Sequence, residues 1–118
     1  YLRYELHRVW VVEATLKDGA RHIYARRTFY VDEDTWQISV ADLYDGRGEM
    51  WRVKEAHNVS HYQVQVPWYA AEVSHDLISG RYLPIGLDNE IKGYQYNWDY
   101  KVSEREYTPA ALRRSGTR

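Results

Sequence analysis

Apolar and polar side chains alternate along most of the first half of the chain. From Tyr4 to Leu16 the even positions are mostly apolar and the odd positions mostly polar, a period of two that predicts a strand. The same alternation predicts strands at about 21–31, 36–44 and 51–57. Asp-Gly at 18–19 and Asp-Gly-Arg-Gly at 45–48 supply turn residues that tolerate positive φ. Residues 4–57 are therefore predicted to form a four-stranded antiparallel meander, and its long strands favour a curved sheet or half-barrel.

The second half is less regular. Alternation predicts a strand at 61–66 that ends before Pro67, and an aromatic-faced strand at 94–102. Residues 71–77 fit a short strand, although the alanines at 70–71 also allow a helical turn. Pro84 restricts the run 81–87 to an edge or interrupted strand. Thr108 as N-cap and Pro109 at the first helical position predict a short C-terminal helix.

Size and charge limit the range of functions. The 118 residues carry a net charge of −1 and no cysteine, which fits one domain, 1–118, without disulfides or thiolate chemistry. Near-neutral charge argues against a nucleic-acid partner. Because the chain starts at Tyr1, we expect a processed product or a piece of a longer protein. No cofactor motif is found.

Few side chains point to catalysis. His57 and His61 are four residues apart, which would join two metal ligands on a helix but separates them by more than about 10 Å on a strand. Asp42 lies on an otherwise apolar strand face, as do Arg8 and Arg27 on neighbouring strands. We therefore predict a structural cluster of Arg8, Arg27 and Asp42, with an acid–base role for Asp42 as the less favoured alternative. No catalytic residue and no metal site is predicted.

Aromatic residues are unusually frequent, with 12 Tyr and 5 Trp. If the sheet is curved, tryptophans on adjacent strands would form an apolar concave surface for a hydrophobic ligand. The predicted ligand-binding residues are Trp10, Trp36, Tyr44, Trp51 and Val53. The alternative is that another part of the protein fills this surface.

Five segments together resemble a known family. They are RYELHRVWVVEA at 3–14, YVDEDTWQI at 30–38, DLYDGRGEMWR at 42–52, VPWYA at 66–70 and DLISGRY at 76–82. In this order they resemble the C-terminal part of an uncharacterised Gram-negative family of secreted proteins of unknown function, described as outer-membrane lipoprotein-sorting-like. The resemblance implies a LolA/LolB-like half-barrel whose concave face is covered by helices. It also implies a longer protein with a signal peptide, located in the periplasm or at the periplasmic face of the outer membrane.

Three functions follow, in order of preference. The first is a periplasmic, non-enzymatic carrier or chaperone element that binds a lipid or a lipoprotein acyl chain. The second is a non-catalytic interaction module that docks on an RND-type exporter or an outer-membrane protein, partners that the resemblance implies. The third, a hydrolase or isomerase using Asp42 or a histidine, is least favoured. Exposed strand edges also predict that the isolated chain self-associates.

Overall fold

The fold is a six-stranded antiparallel meander, seen in a computed structural model that describes residues 4–93 and 96–116. Each strand pairs with its neighbour in sequence, so the order across the sheet is β1 to β6 and the edges are β1 and β6. The strands are β1 (Val9–Thr15), β2 (Arg26–Asp32), β3 (Ile38–Tyr44), β4 (Met50–His61), β5 (Val66–Asp76) and β6 (Arg81–Gly86). This confirms the predicted meander of the first four strands and the edge position of the strand that contains Pro84.

Asp45 closes the β3–β4 turn predicted from its glycines. Its Oδ1 accepts hydrogen bonds from the backbone N–H groups of Arg47 and Glu49, at 2.8 and 3.0 Å. Gly48 has φ +86°, a conformation that glycine adopts without strain. These bonds hold the pKa of Asp45 below its ordinary value although desolvation opposes the shift.

Two strand predictions in the second half are wrong. Residues 61–66 do not form a strand of their own, because β4 runs on to His61 and the chain then turns back through Gln65, whose φ is +55°. In the predicted aromatic strand at 94–102, residues 94 and 95 lie outside the described residues, and 96–102 contain turns but no strand. The rings of Tyr96 and Trp98 stack on each other with centroids 5.1 Å apart, and both contact His61.

The C-terminal helix is confirmed as α1 (Pro109–Ser115), and the Thr108 side chain accepts a hydrogen bond from the Ala111 N–H. Two short 3-10 helices precede it, Asp88–Glu90 and Glu104–Tyr107. Helix α1 contacts Glu104–Tyr107, and Asp88–Glu90 contacts β5. None of the described helical elements therefore contacts β1, β2 or β3.

The described residues bury little apolar surface. Ala41 and Leu43, both on β3, are the hydrophobic residues that are fully buried among them. The radius of gyration is 17.9 Å, against about 13 Å for a compact domain of this length. The sheet is therefore open, and its apolar side chains remain available for contacts beyond the sheet itself.

Candidate functional site

The pairing register separates the sheet into two chemically different faces, because residues directly opposite each other on adjacent strands project to the same side. Trp10 pairs with Val31 and Val12 with Phe29, which then pairs with Ala41. We call this side the apolar face; its larger apolar members are Trp10, Val12, Phe29, Val31, Ile38, Leu43, Leu83 and Ile85, and Ala41 lies among them. The opposite side, the polar face, carries Glu13, Arg26, Tyr30, Asp42, Glu55 and His75.

The polar face is held by side-chain hydrogen bonds. The Tyr30 hydroxyl donates to Asp42 Oδ2 at 3.0 Å, and this bond raises the pKa of Tyr30. Arg26 donates to Glu13 Oε1 at 2.8 Å, and its guanidinium lies 3.5 Å from the centre of the Tyr44 ring. These contacts join β1, β2 and β3 and account for the charged residues in the middle of the sheet.

Residues before β1 pack on the polar face as well. The Nδ1 atom of His7 lies 2.7 Å from Asp32 Oδ2, and the Tyr4 ring lies 6.3 Å from that of His57. Glu5 and Asp32 raise the pKa of His7 because both carboxylates favour the imidazolium. This segment therefore covers part of the polar face and leaves the apolar face of β1 to β3 open.

The apolar face is exposed at its β1 edge. The exposed fraction is 54% for Trp10 and 47% for Val12. Their neighbours Phe29 and Val31 are half-buried, and Ala41 and Leu43 are buried one strand further in. Apolar surface of this kind on one side of an open sheet is typical of an interaction or ligand site.

A polar cluster surrounds Asp76 at the β4–β5 end of the sheet. Asp76 Oδ2 accepts hydrogen bonds from the Trp51 indole N–H at 3.0 Å and from Arg52 Nε at 3.1 Å. Its Oδ1 accepts from the backbone N–H of Ser79 at 2.9 Å, and these bonds together lower the pKa of Asp76 to about 2. Arg52 also donates to the Tyr24 hydroxyl at 2.8 Å. Asp76 is therefore a carboxylate at neutral pH, and it fixes the positions of Trp51 and Arg52.

The structure does not bring the five predicted ligand-binding residues together. Trp10 lies on the apolar face, whereas Tyr44 and Val53 follow the register of the polar face. Trp36 lies in the β2–β3 turn and is 71% exposed. Trp51 is the extra residue of an irregularity in β4, and its indole is directed to Asp76. Ligand binding by any of them remains a prediction.

The predicted cluster of Arg8, Arg27 and Asp42 does not form. Arg8 pairs with Glu33 at 2.6 Å, and Arg27 contacts the His22 ring at 3.1 Å. Asp42 accepts its bond from Tyr30 on the polar face, whereas Arg27 projects from the apolar face. The prediction failed because it assigned the residues to one side without knowing the register between strands.

The histidines are dispersed along the chain, and His22 contacts Arg27 of the apolar face. Glu55 Oε2 lies 3.6 Å from His57 Nε2 and 3.7 Å from His75 Nε2, whereas His61 packs against Tyr96 and Trp98. Among the described residues, His7, Asp32 and Asp34 have potential ligand atoms within 4.8 Å of one another. Asp32 Oδ1 accepts three hydrogen bonds, one from the Asp34 backbone N–H and two from Thr35. These bonds form a turn, and the turn accounts for the short distance between the Asp32 and Asp34 carboxylates.

Sequence reasoning missed a row of arginines on the apolar face. Arg27 pairs with Leu43, Leu43 with Arg52, Arg52 with Asp76 and Asp76 with Arg81. We call Arg27, Arg52 and Arg81 the arginine row. The sequence pattern indicates Arg27 as a charged residue at an apolar-facing position, but its alignment with two distant arginines depends on the pairing of five strands.

Residues 1–113 match the profile of a family of proteins of unknown function, DUF1329. The chain belongs to the DUF1329 family. It is 62% identical over 116 residues to an uncharacterised protein of Pseudomonas aeruginosa, covering 98% of this chain but 25% of that protein. The chain thus spans about a quarter of the length of this relative. None of the helices in the described residues is long and apolar enough to cross a bilayer.

Two crystal structures have a similar fold. A Vibrio parahaemolyticus domain, described as a candidate outer membrane lipoprotein-sorting protein, superimposes with a TM-score of 0.56 and 16% identity, over 64% of this chain and 32% of its own. A DUF1329 protein of Desulfovibrio piger gives the same TM-score and identity, over 88% of this chain and 40% of its own. These similarities confirm the resemblance and the predicted fold, a mainly β, LolA-like antiparallel sheet with a short C-terminal helix.

Proposed function

We propose that this chain is part of a non-enzymatic periplasmic carrier or chaperone that binds a lipid or a lipoprotein acyl chain on the apolar face. The observation that carries the proposal is the exposure of Trp10 and Val12 beside Phe29 and Val31 on one side of an open sheet. Helical elements among the described residues leave this side of β1 to β3 uncovered. A hydrocarbon chain would remove these side chains from water without disturbing the sheet.

The energetics of such a site predict that binding affinity depends on the length of the ligand's hydrocarbon chain. Each methylene transferred from water to an apolar surface contributes about 0.8 kcal/mol. The affinity for the ligand should therefore rise roughly fourfold for each added methylene until the hydrocarbon chain extends beyond the apolar face. A site that recognises only a head group would not show this increase.

The relatives support a carrier by their fold and description. The Vibrio parahaemolyticus domain is described in terms of lipoprotein sorting, and it shares the sheet architecture of this chain. Neither structural relative is described as an enzyme. A periplasmic location and the domain arrangement, in which 1–118 is the C-terminal portion of a longer half-barrel, are parts of the same proposal.

The sheet edges favour a second candidate, a module that docks on an exporter or an outer-membrane protein. Strands β1 and β6 each have one side without a strand partner among the described residues. Such an edge presents backbone N–H and C=O groups that another strand can pair with. This candidate predicts a stable protein partner and no lipid uptake.

Val11 and Val12 provide a matched test of the apolar face. They are adjacent in β1, but Val12 pairs with Phe29 on the apolar face and Val11 with Tyr30 on the polar face. In the full-length protein, Val12→Asp should abolish uptake of a fluorescent fatty acid, whereas Val11→Asp, at a 61% exposed position, should retain it. Equal uptake by both variants, or none by the unmodified protein, would contradict the carrier proposal.

A further inference from the structure

The arginine row lies along one border of the apolar face. It occupies one row of the register, from Arg27 on β2 through Arg52 on β4 to Arg81 on β6. The next row contains Val12, Phe29, Ala41, Lys54, Ser74 and Leu83. Strands lie about 4.8 Å apart, so Arg52 and Arg81 are separated by about 10 Å with Asp76 between them.

The row and Lys54 carry more positive charge than their neighbours neutralise. Arg52 is paired with Asp76, and Arg27 contacts the His22 ring. Lys54 and Arg81 form no ion pair with any of the residues that the structure describes. This part of the face therefore holds four cations and two carboxylates, Asp76 and Glu72, in a chain whose net charge is −1.

A groove of about 430 Å³ opens at Arg52, Lys54 and Arg81, whereas Arg27 lies outside it, beyond Leu43. The residues that line it include Tyr24, Arg52, Lys54, Arg81 and Leu83, and also the carboxylate Asp76. Lys54 is opposite Ala41, and Arg52 is opposite Leu43, so the charged groove adjoins the apolar side chains of β3 directly. Charged and apolar surfaces thus meet along one line, as they do in an amphiphile.

We propose that Arg52 and Arg81 of the arginine row, together with Lys54, bind the anionic head group of an amphiphile whose hydrocarbon chain lies on the apolar face. This inference rests on the proposed function and specifies its ligand class. Guanidinium groups donate paired hydrogen bonds to phosphate or carboxylate oxygens, and an ammonium adds a point charge. Arg52 is already held in place by Asp76 and Tyr24, whereas Lys54 and Arg81 are free to close on the ligand.

The test compares two amphiphiles of equal chain length, dodecyl phosphate and the neutral glycerol monolaurate, by calorimetric titration of the full-length protein below their micelle concentrations. We expect dodecyl phosphate to bind at least about tenfold more tightly, since a hydrogen bond to a charged group contributes a factor of this order. Lys54→Gln combined with Arg81→Gln should remove that preference and leave monolaurate binding unchanged. The control pair Lys92→Gln and Lys101→Gln removes the same charge at exposed positions outside the sheet and should change neither affinity.

The outcomes separate this inference from the carrier proposal. Equal affinity for both amphiphiles would overturn the head-group site and leave the carrier proposal in place. Binding of inorganic phosphate as tight as that of dodecyl phosphate would also overturn it, because the hydrocarbon would then contribute nothing. Failure of both amphiphiles to bind would overturn the carrier proposal together with the inference. Far-ultraviolet circular dichroism of each variant checks that the sheet is intact.

Discussion

Arg52 and Asp76 face each other across β4 and β5, with 3.1 Å between Arg52 Nε and Asp76 Oδ2. The same oxygen accepts the indole N–H of Trp51, so one carboxylate orients both side chains. The backbone N–H of Ser79 in the β5–β6 turn occupies the second oxygen. This arrangement fixes the centre of the arginine row, while Arg81 on the next strand remains available for a ligand.

Asp76→Ala should lower the melting temperature, because Trp51, Arg52 and the Ser79 N–H all lose their acceptor. The hydrogen bonds from Ser79, Arg52 and Trp51 lower the pKa of Asp76 from 3.8 to about 2. A lowered carboxyl pKa contributes stability above pH 3.8, which is lost as the pH falls through about 2. The difference in melting temperature between the native protein and the variant should therefore be constant at neutral pH and shrink over this acidic range.

Asp99→Ala is the matched control for this prediction, since Asp99 is exposed and takes part in none of the hydrogen bonds to Asp76. Thermal melting followed by circular dichroism across this pH range would measure both variants. An Asp76→Ala protein as stable as Asp99→Ala at neutral pH would refute the role of Asp76 in anchoring Trp51 and Arg52.

Tyr30→Phe should destabilise the protein by about 1 kcal/mol, since it removes the only side-chain hydrogen bond to the buried Asp42 among the described residues. Tyr4→Phe is a suitable control, because Tyr4 is 75% exposed and its hydroxyl lies 3.5 Å from Glu55 Oε2. Urea unfolding gives both free energies. Equal values for the two variants would contradict a stabilising Tyr30–Asp42 bond.

Gly86→Ala should destabilise the β5–β6 pairing. Gly86 has φ +85°, and an added Cβ would lie 2.8 Å from the Ala70 carbonyl oxygen, a backbone atom that cannot move aside easily. Strain of this kind lowers the free energy of unfolding by about 1–3 kcal/mol. Gly46→Ala adds the same methyl group where no atom lies within 4 Å, so its urea unfolding curve should resemble that of the native protein. Equal losses from both substitutions would argue against the close approach at Gly86.

Trp36 holds a left-handed backbone conformation, with φ +59°, although it is 71% exposed. Trp36→Asn should increase the free energy of unfolding by up to about 1 kcal/mol relative to Trp36→Ala, because asparagine tolerates this conformation better than alanine. Both variants lose the ring, so their difference in chemical denaturation isolates the backbone effect. Identical stabilities would mean that the turn relaxes to another conformation.

Much of the sheet was predictable because alternation and turn residues act locally. Asp45 and Gly48 specify their turn through short-range hydrogen bonds and a positive φ, and Thr108 specifies the start of α1 in the same way. Pro84 correctly indicated an edge strand, since proline has no N–H to offer a further neighbour.

The faces were harder to predict because register irregularities are invisible in the alternation. An irregularity between Tyr30 and Val31 leaves Ile38 opposite Val31 on the apolar face, while Val40 and Asp42 lie on the polar face. A second one, at Trp51, separates that side chain from Val53. Two local shifts thus divided a candidate site that strict alternation had placed on one side.

The aromatic segment at 94–102 shows the limit of periodicity itself. Tyr96 and Trp98 alternate as strand residues do, yet they stack on each other and on His61. Contact between aromatic rings contributes enough favourable free energy to stabilise irregular segments, so the spacing of aromatic residues alone does not establish a strand.

Native mass spectrometry of the full-length protein, purified from its own cells and followed by lipid extraction, tests the carrier account most directly. We predict a bound species that carries both a hydrocarbon chain and an anionic group, retained by Val11→Asp and lost in Val12→Asp while both variants keep their circular dichroism spectra. A ligand-free protein, or a bound lipid that both variants retain, would contradict the carrier proposal and favour the alternative of a protein-docking module.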